Sequence, residues 1–255
     1  VSALEDALTR LVAAARAGGA LIALDFDGVL APLQDDPEAS RPLPEAAAAL
    51  RRLSAADGVH LALVSGRALA DLADKADPPE GTLLVGSHGA ERGRIAGGQL
   101  ERSDLSLDAA AAARLVELTT VLRAAVRGTT ARLETKPASV VLHTRTASDA
   151  DTDRLTALAL GLGERNGVDA MAGKDVVELA VLHVTKGHAL AALRTELAVD
   201  ALAYAGDDVT DERAFTTLGP GDVTIKVGSG PTAARFRLPD PPAVAGLLAR
   251  LADML

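Results

Sequence analysis

Acidic residues stand in pairs at two places where apolar runs end. Asp25 and Asp27 follow ALIAL in the string DFDG, and Asp207 and Asp208 follow ALAYAG, with Asp211 one turn later. Between them in sequence, VHLALV ends in Ser65-Gly66-Arg67, and Lys186 opens KGHALAALRTEL. Alternate residues of an extended chain point the same way, so Asp25 and Asp27 share a side. Two carboxylates so placed repel unless a cation or a shared proton relieves them. An all-oxygen cluster suits Mg²⁺, a hard ion that keeps some water and takes phosphate as a ligand. The chain has no cysteine and no histidine cluster, which argues against zinc. With the charge neutralised, one carboxylate can attack phosphorus and form a covalent phospho-aspartate. The other can protonate the leaving oxygen and then activate water. Ser65 and Lys186 can hold the transferring oxygens. Backbone N–H groups at residues 26–28 and at the start of the Lys186 helix add donors.

Each string alone is commonplace. A lone DxD is by default a solvated turn, SGR an ordinary helix-capping turn, and an acidic string a helix N-terminus favoured by the dipole. Their occurrence together, each beside a buried strand, is what carries weight. The elements that must position them are legible in the apolar pattern. Strands are expected at residues 20–25, 59–64, 82–86, 201–206 and 223–228. Helices follow from Pro44, about Ala68, Lys186 and about Pro242, with an amphipathic surface helix at the N-terminus. Residues 91–103 alternate around AGG and read as a hairpin. Strands alternating with helices imply a parallel, doubly wound sheet, whose strand ends converge on one crevice.

From about Asp104 the texture changes. A long Ala-rich helix is expected from Asp108 to Val126. Strands follow at 131–136 and 139–145, joined by Pro137-Ala138, then a helix from Asp149 to Asn166 and strands at 168–173 and 175–181. This reads as a small α+β domain, an open sheet covered on one face, inserted into the first. The expected organisation is 1–104 core, 105–182 insertion and 183–255 core.

Composition narrows the partners. At 255 residues, 48% of them apolar, the chain can bury a large core without disulfides. A net charge of −9 disfavours broad nucleic-acid binding. No run approaches the roughly 20 apolar residues of a membrane span. The lack of cysteine is compatible with a reducing, cytoplasmic setting. Phe26, Tyr204, Phe215 and Phe236 are the whole aromatic set, so a sugar ligand would have to be held by hydrogen bonds rather than stacking.

The strings LIALDFDGVLAPL, LALVSGR, VTKGHAL and YAGDDVTDE resemble the four motifs of the haloacid dehalogenase superfamily, in order. With GSHGAE, ETKPASVVLHTR and GKDVVEL, the chain resembles the trehalose-6-phosphate phosphatase family over nearly its whole length. The resemblance implies a doubly wound α/β core of the haloacid dehalogenase type with an inserted α+β cap. It implies Mg²⁺-dependent hydrolysis of trehalose 6-phosphate through a phospho-aspartate. Asp25 would be the nucleophile and Asp27 the acid/base. Asp25, the main-chain carbonyl of Asp27, and Asp207 would ligate Mg²⁺, with Asp208 and Asp211 nearby. Ser65 and Lys186 would bind the phosphoryl group. The insertion would be a mobile cap that holds the sugar through Glu134, Lys136, Arg145, Lys174 and Glu178. Arg67 at the mouth, and His88 and Glu91 on the core side, would add contacts. The implied partner is a small-molecule sugar phosphate, with no nucleic acid and no membrane. His60, His143, His183 and His188 receive no role, although His143 alternates with Arg145. One departure is Val29, where the family often has Thr after DxDG. Two alternatives stay open: a related capped phosphatase acting on sucrose phosphate or mannosyl-phosphoglycerate, and a receiver-like phosphate-binding signalling domain.

Overall fold

The structure is a computed structural model and describes residues 3–103, 107, 109–182 and 184–255. Asp104 and Leu105 of the expected boundary, Asp108 of the expected helix start, and His183 lie outside the described residues. The chain divides into two units, Val1–Asp104 with Val184–Leu255, and Leu105–His183. In chain order, the first unit opens with α1 (Ala3–Ala17), β1 (Ala20–Leu24), α2 (Pro44–Ser54), β2 (Val59–Val64), α3 (Leu69–Ala76), β3 (Leu83–Gly86), β4 (Glu91–Ala96) and β5 (Gln99–Arg102). The second holds α4 (Ala109–Ala125), β6 (Arg132–Lys136), β7 (Ser139–His143), α5 (Asp149–Asn166), β8 (Asp169–Gly173) and β9 (Val176–Ala180). The first resumes with α6 (Lys186–Leu197), β10 (Ala201–Gly206), α7 (Val209–Thr217), β11 (Val223–Val227), β12 (Phe236–Leu238) and α8 (Pro241–Met254).

The sheet of the first unit runs in the order β12-β11-β10-β1-β2-β3-β4-β5. From β12 to β3 the pairing is parallel, and β4 and β5 are antiparallel. The chain builds outward from β1 on one side, returns, and builds outward again from β10. The strand order therefore reverses between β1 and β10, which is where ligands bind in such sheets. Both faces are covered, so β1 is apolar throughout and wholly buried. Ala20, Ile22 and Leu24 pack with α1, α2 and α8, and Leu21 and Ala23 pack with α6 and α7. Burying each Leu or Ile contributes about 1.5–3 kcal/mol. Strand β12 has no counterpart in the sequence reading. It is three residues long, only partly buried, and flanked by arginine and proline, so no periodicity announces it.

The second unit is an antiparallel sheet in the order β6-β7-β9-β8. Val140, Leu142, Val177 and Leu179 share a core with Leu118 and Leu122 of α4 and Leu155 and Ala159 of α5. The helices therefore cover one face. Among the described residues, no helix is long and apolar enough to cross a membrane.

Candidate active site

The loop after β1 begins where Asp25 leaves the sheet. Its N–H still bonds the Ala205 carbonyl at 2.9 Å. Phe26 is buried, and its carbonyl accepts from Leu30 and Ala31 at 2.9 Å each, which folds residues 26–31 into a tight turn. Gly28, at φ 75°, lies against the Asp207 carboxylate. A Cβ there would come within 2.1 Å of Asp207 Oδ2. Glycine thus lets Asp207 face the same turn that carries Asp25 and Asp27.

Asp25 is almost fully buried. One carboxylate oxygen accepts from the Phe26 N–H at 2.6 Å, and the other from Lys186 Nζ at 2.6 Å. Burial pushes the Asp25 carboxyl well above its usual range, and Lys186 opposes that push. Lys186 is itself buried at the first residue of α6, with Thr185 as its N-cap. Burial favours its neutral form, but the charges of Asp25, Asp211 and Asp208 outweigh this and hold it protonated. Lys186 Nζ also donates to Asp211 Oδ1 at 2.8 Å and lies 3.9 Å from Asp208.

Asp211 anchors this end of the site. It is fully buried, and four donors meet it: Lys186, the Tyr204 hydroxyl, and the N–H groups of Asp207 and Asp208 at 2.9 and 3.0 Å. Asp208 reciprocates by accepting from the Asp211 N–H, so the pair forms a capping box for α7. Although burial favours protonation, Lys186, Thr210 and that N–H hold the Asp208 carboxyl down to about 2. Asp207 is placed oppositely. Burial first, then Asp211 and Asp208, push its carboxyl up to about 6.

The carboxylates of Asp25, Asp208 and Asp211 approach within 4.8 Å of one another. That trio already surrounds the Lys186 ammonium. Asp207 stands outside it, its charge incompletely met. A hard divalent cation fits here, in reach of an all-oxygen donor set whose carboxylates outnumber the Lys186 ammonium.

Asp27 is held by a fork. Arg67 donates through Nε to Oδ2 at 2.6 Å and through Nη2 to Oδ1 at 2.8 Å. The same guanidinium bonds Asp71 at 2.7 Å and the Pro37 carbonyl at 3.0 Å, and packs over the Phe26 ring at 5.4 Å. A two-bond fork fixes orientation as well as distance. Arg67 thus clamps the Asp27 carboxylate rather than standing alone at the mouth. Lys75 continues the chain of charges, bonding Glu38 at 2.7 Å beside Asp71.

Ser65 is buried at the end of β2, and its hydroxyl accepts from the Arg67 N–H at 3.2 Å. Ser87 and His88 both hold left-handed backbone, at φ 48° and 56°. That conformation costs roughly 1–2 kcal/mol per non-glycine residue. A cavity of about 450 Å³ opens over these groups, lined by Asp25, Asp27, Ser65, Arg67, His88 and Lys186, with Asp207 at its side.

The structure does not bring Glu91 to this cavity, contrary to its expected place among the substrate contacts. It is buried at the start of β4 and accepts from Ser87 Oγ at 2.6 Å and from the Leu69 N–H at 3.1 Å. Arg102 meets its other oxygen at 3.3 Å. Sequence reasoning also passed over Asp71, Lys75, Tyr204 and Lys226. Only Lys226 announces itself, as a charge inside the buried strand VTIKV. It donates to the Asp207 carbonyl and lies near Glu212.

In the second unit the register places Glu134, Val141, Glu178 and Met171 in one row across the sheet. Lys136, two residues from Glu134, shares that face, which is opposite the helices. Lys136 lies 3.4 Å from Glu178, which also accepts from Ser139 Oγ at 2.6 Å, and Glu134 meets His143 at 3.0 Å. Arg145 and Lys174 are exposed in the segments that follow β7 and β8. The bond from the Thr144 N–H to the Asp175 carbonyl, 2.9 Å, sets those segments at one end of the sheet.

A family model described as trehalose-phosphatase matches residues 23–242. The chain is 35% identical over 247 residues to a trehalose-phosphate phosphatase of Mycobacterium ulcerans (strain Agy99), covering 91% of this chain and 61% of that protein. A Mycobacterium marinum trehalose-phosphate phosphatase matches at the same identity and coverage. The chain thus spans about three fifths of the length of these curated relatives. A solved structure of Aspergillus fumigatus trehalose-6-phosphate phosphatase superposes with a TM-score of 0.72 at 26% identity, covering 97% of this chain and 98% of that one. The match takes in both units and every strand end that lines the cavity, and on it the chain belongs to the trehalose-phosphatase family.

Proposed function

We propose that this chain is a Mg²⁺-dependent phosphatase that hydrolyses trehalose 6-phosphate to trehalose and phosphate through a phosphorylated Asp25. The observation that carries the reading is the arrangement at Asp25: a buried carboxylate, oriented by the Phe26 N–H and Lys186, beside a second carboxylate held by the Arg67 fork.

Asp25 attacks phosphorus, and the bond from phosphorus to the sugar oxygen breaks. Asp27, entering the step in its protonated form, delivers that proton to the sugar oxygen as it leaves. Water then attacks the phospho-aspartate, Asp27 takes its proton, and phosphate departs with the Asp25 carboxylate restored. Ser65 and Lys186 hold the oxygens of the transferring phosphoryl group, where fixed donors matter most as charge builds. Asp25, the main-chain carbonyl of Asp27, and Asp207 would hold Mg²⁺. When bound, the ion neutralises phosphoryl charge and lets two anions meet. The carboxylate at Asp207 supports that assignment.

The polar face of the second unit serves the sugar. Glu134, Lys136, Arg145, Lys174 and Glu178 offer charged partners to hydroxyl groups, and Glu134, Lys136 and Glu178 share the helix-free face. In the first unit, His88 and Arg67 are the proposed substrate contacts. The proposed partner is this small-molecule sugar phosphate rather than a nucleic acid or a membrane, and the proposed setting is the cytoplasm.

The test is phosphate release from trehalose 6-phosphate with Mg²⁺ and with EDTA, beside sucrose 6-phosphate and glucose 6-phosphate. Selective, metal-dependent release from the trehalose ester is expected. Preference for another ester would discard the substrate and keep the chemistry. Stable phosphorylation of one aspartate without turnover would favour a receiver-like role.

A further inference from the structure

We infer that Glu91 is a positioning residue, which holds the Ser87-His88 turn against its own conformational preference and so presents His88 to the substrate. The inference rests on the phosphatase reading for its kinetic consequences, but not for its geometry. Ser87 and His88 are consecutive left-handed residues, and neither is glycine. Such a turn persists only where the surroundings over-determine it. Here they do. The Ser87 N–H bonds the Arg67 carbonyl at 2.7 Å and the His88 N–H bonds the Ser65 carbonyl at 3.0 Å. Glu91 adds a side-chain tie, through Ser87 Oγ at 2.6 Å.

The same carboxylate oxygen accepts from Leu69 N–H, the first residue of α3. That helix has no side-chain cap at its own N-cap residue, Ala68. One buried oxygen therefore joins the strained turn to the helix that follows Ser65-Gly66-Arg67. The turn is wedged tightly on both sides. The His88 ring lies over Gly66, where a Cβ would come within 2.5 Å of it. Gly89, at φ 120°, presses on the Thr185 carbonyl, where a Cβ would approach to 2.9 Å. The turn thus touches both the loop that carries Ser65 and the residue before Lys186. Its position sets that of His88 on the cavity wall.

Three variants of the whole chain test this: Glu91→Ala, His88→Ala and the double. Steady-state constants are compared on trehalose 6-phosphate and on a small aryl phosphate. Glu91→Ala is expected to raise KM for the disaccharide ester about tenfold while changing kcat/KM for the aryl ester less than about threefold. His88→Ala should act alike, and the double variant should be no worse than the worse single. Adding Ser87→Gly to Glu91→Ala should recover much of the loss, because glycine holds φ 48° without help. Losses that multiply in the double variant, or that are equal on both esters, would overturn the inference. Should Glu91→Ala not fold, Ser87→Ala cuts the same tie and leaves Leu69 capped. A second readout needs no activity. The His88 imidazole NMR signals, assigned by their loss in His88→Ala, should move in the Glu91 or Ser87→Ala variant. Unmoved signals would refute the positioning role. If the native chain releases no phosphate from any ester, the functional reading fails, and the NMR comparison still decides this one.

Discussion

Replacing Lys186 by Met removes a cation from among three carboxylates and leaves their shape nearly intact. Lys186 Nζ is 2.6 Å from Asp25, 2.8 Å from Asp211 and 3.9 Å from Asp208, and its side chain is 1% exposed. Deleting one partner of a buried pair costs about 3–5 kcal/mol, because the remaining charge is stranded. A chain of this size loses about 2–4 °C in Tm per kcal/mol, so the melting temperature in EDTA should fall by about 10 °C. The deficit has a signature that a mere packing defect lacks. Burial already pushes the Asp25 carboxyl upward, and without Lys186 the cation that opposes this push is gone. Adding Asp25→Asn to Lys186→Met should therefore restore a large part of the lost stability, roughly 2 kcal/mol by the same reasoning. The assay is chemical or thermal unfolding of the two single variants and the double, without metal. A Lys186→Met deficit below about 1 kcal/mol, or a double variant no more stable than Lys186→Met alone, would refute the view that Lys186 is the counterion of this cluster. Phosphatase activity should fall by at least about 100-fold in the single variant, as for loss of one oriented donor.

Asp25→Asn alone should abolish turnover while the circular dichroism spectrum is kept, since the amide has no charge to attack with; substantial turnover would refute the covalent step. Arg67→Lys should lower kcat about tenfold, because an ammonium keeps the charge but not the two-bond fork on Asp27; an unchanged kcat would show that the fork is idle. Glu134→Ala should harm hydrolysis of trehalose 6-phosphate more than that of a small aryl phosphate, and equal losses would remove the second unit from recognition. Cation binding should weaken as pH falls through about 6, because Asp207 must be ionised to bind and its carboxyl is raised to that value in the free chain. Mg²⁺ titration of Tm at pH 5 and pH 7.5 checks this, with the larger stabilisation expected at the higher pH.

The first unit was legible because burial on two faces forces its strands to be continuous apolar runs. Their polar ends then stand out, and convergence of parallel strands places Asp25, Ser65, Lys186 and Asp207 together. The antiparallel insertion was legible for a different reason, since alternation in VVELA marks one covered face. Orientation was not legible. Nothing in the string SGR says that Arg67 turns back onto Asp27, and nothing in GSHGAE says that Glu91 turns inward. Both depend on contacts made across 40 and 22 residues. Spacing also could not reveal that the tightest acidic trio encloses an ammonium. That follows from the length of the Lys186 side chain and the start of its helix, which are facts of packing.

Tyr204 offers an intrinsic optical window on the site. The chain has one tyrosine and no tryptophan, so its ultraviolet emission is that of a single phenol. That phenol is buried in β10 and its hydroxyl donates to Asp211, which shares Lys186 with Asp25. Any event that draws Lys186 toward an incoming phosphoryl group takes a cation away from Asp211 and so changes the field at the ring. Occupancy of the neighbourhood of Asp25 can then be followed in the native chain by its own fluorescence, with no label attached and no residue replaced.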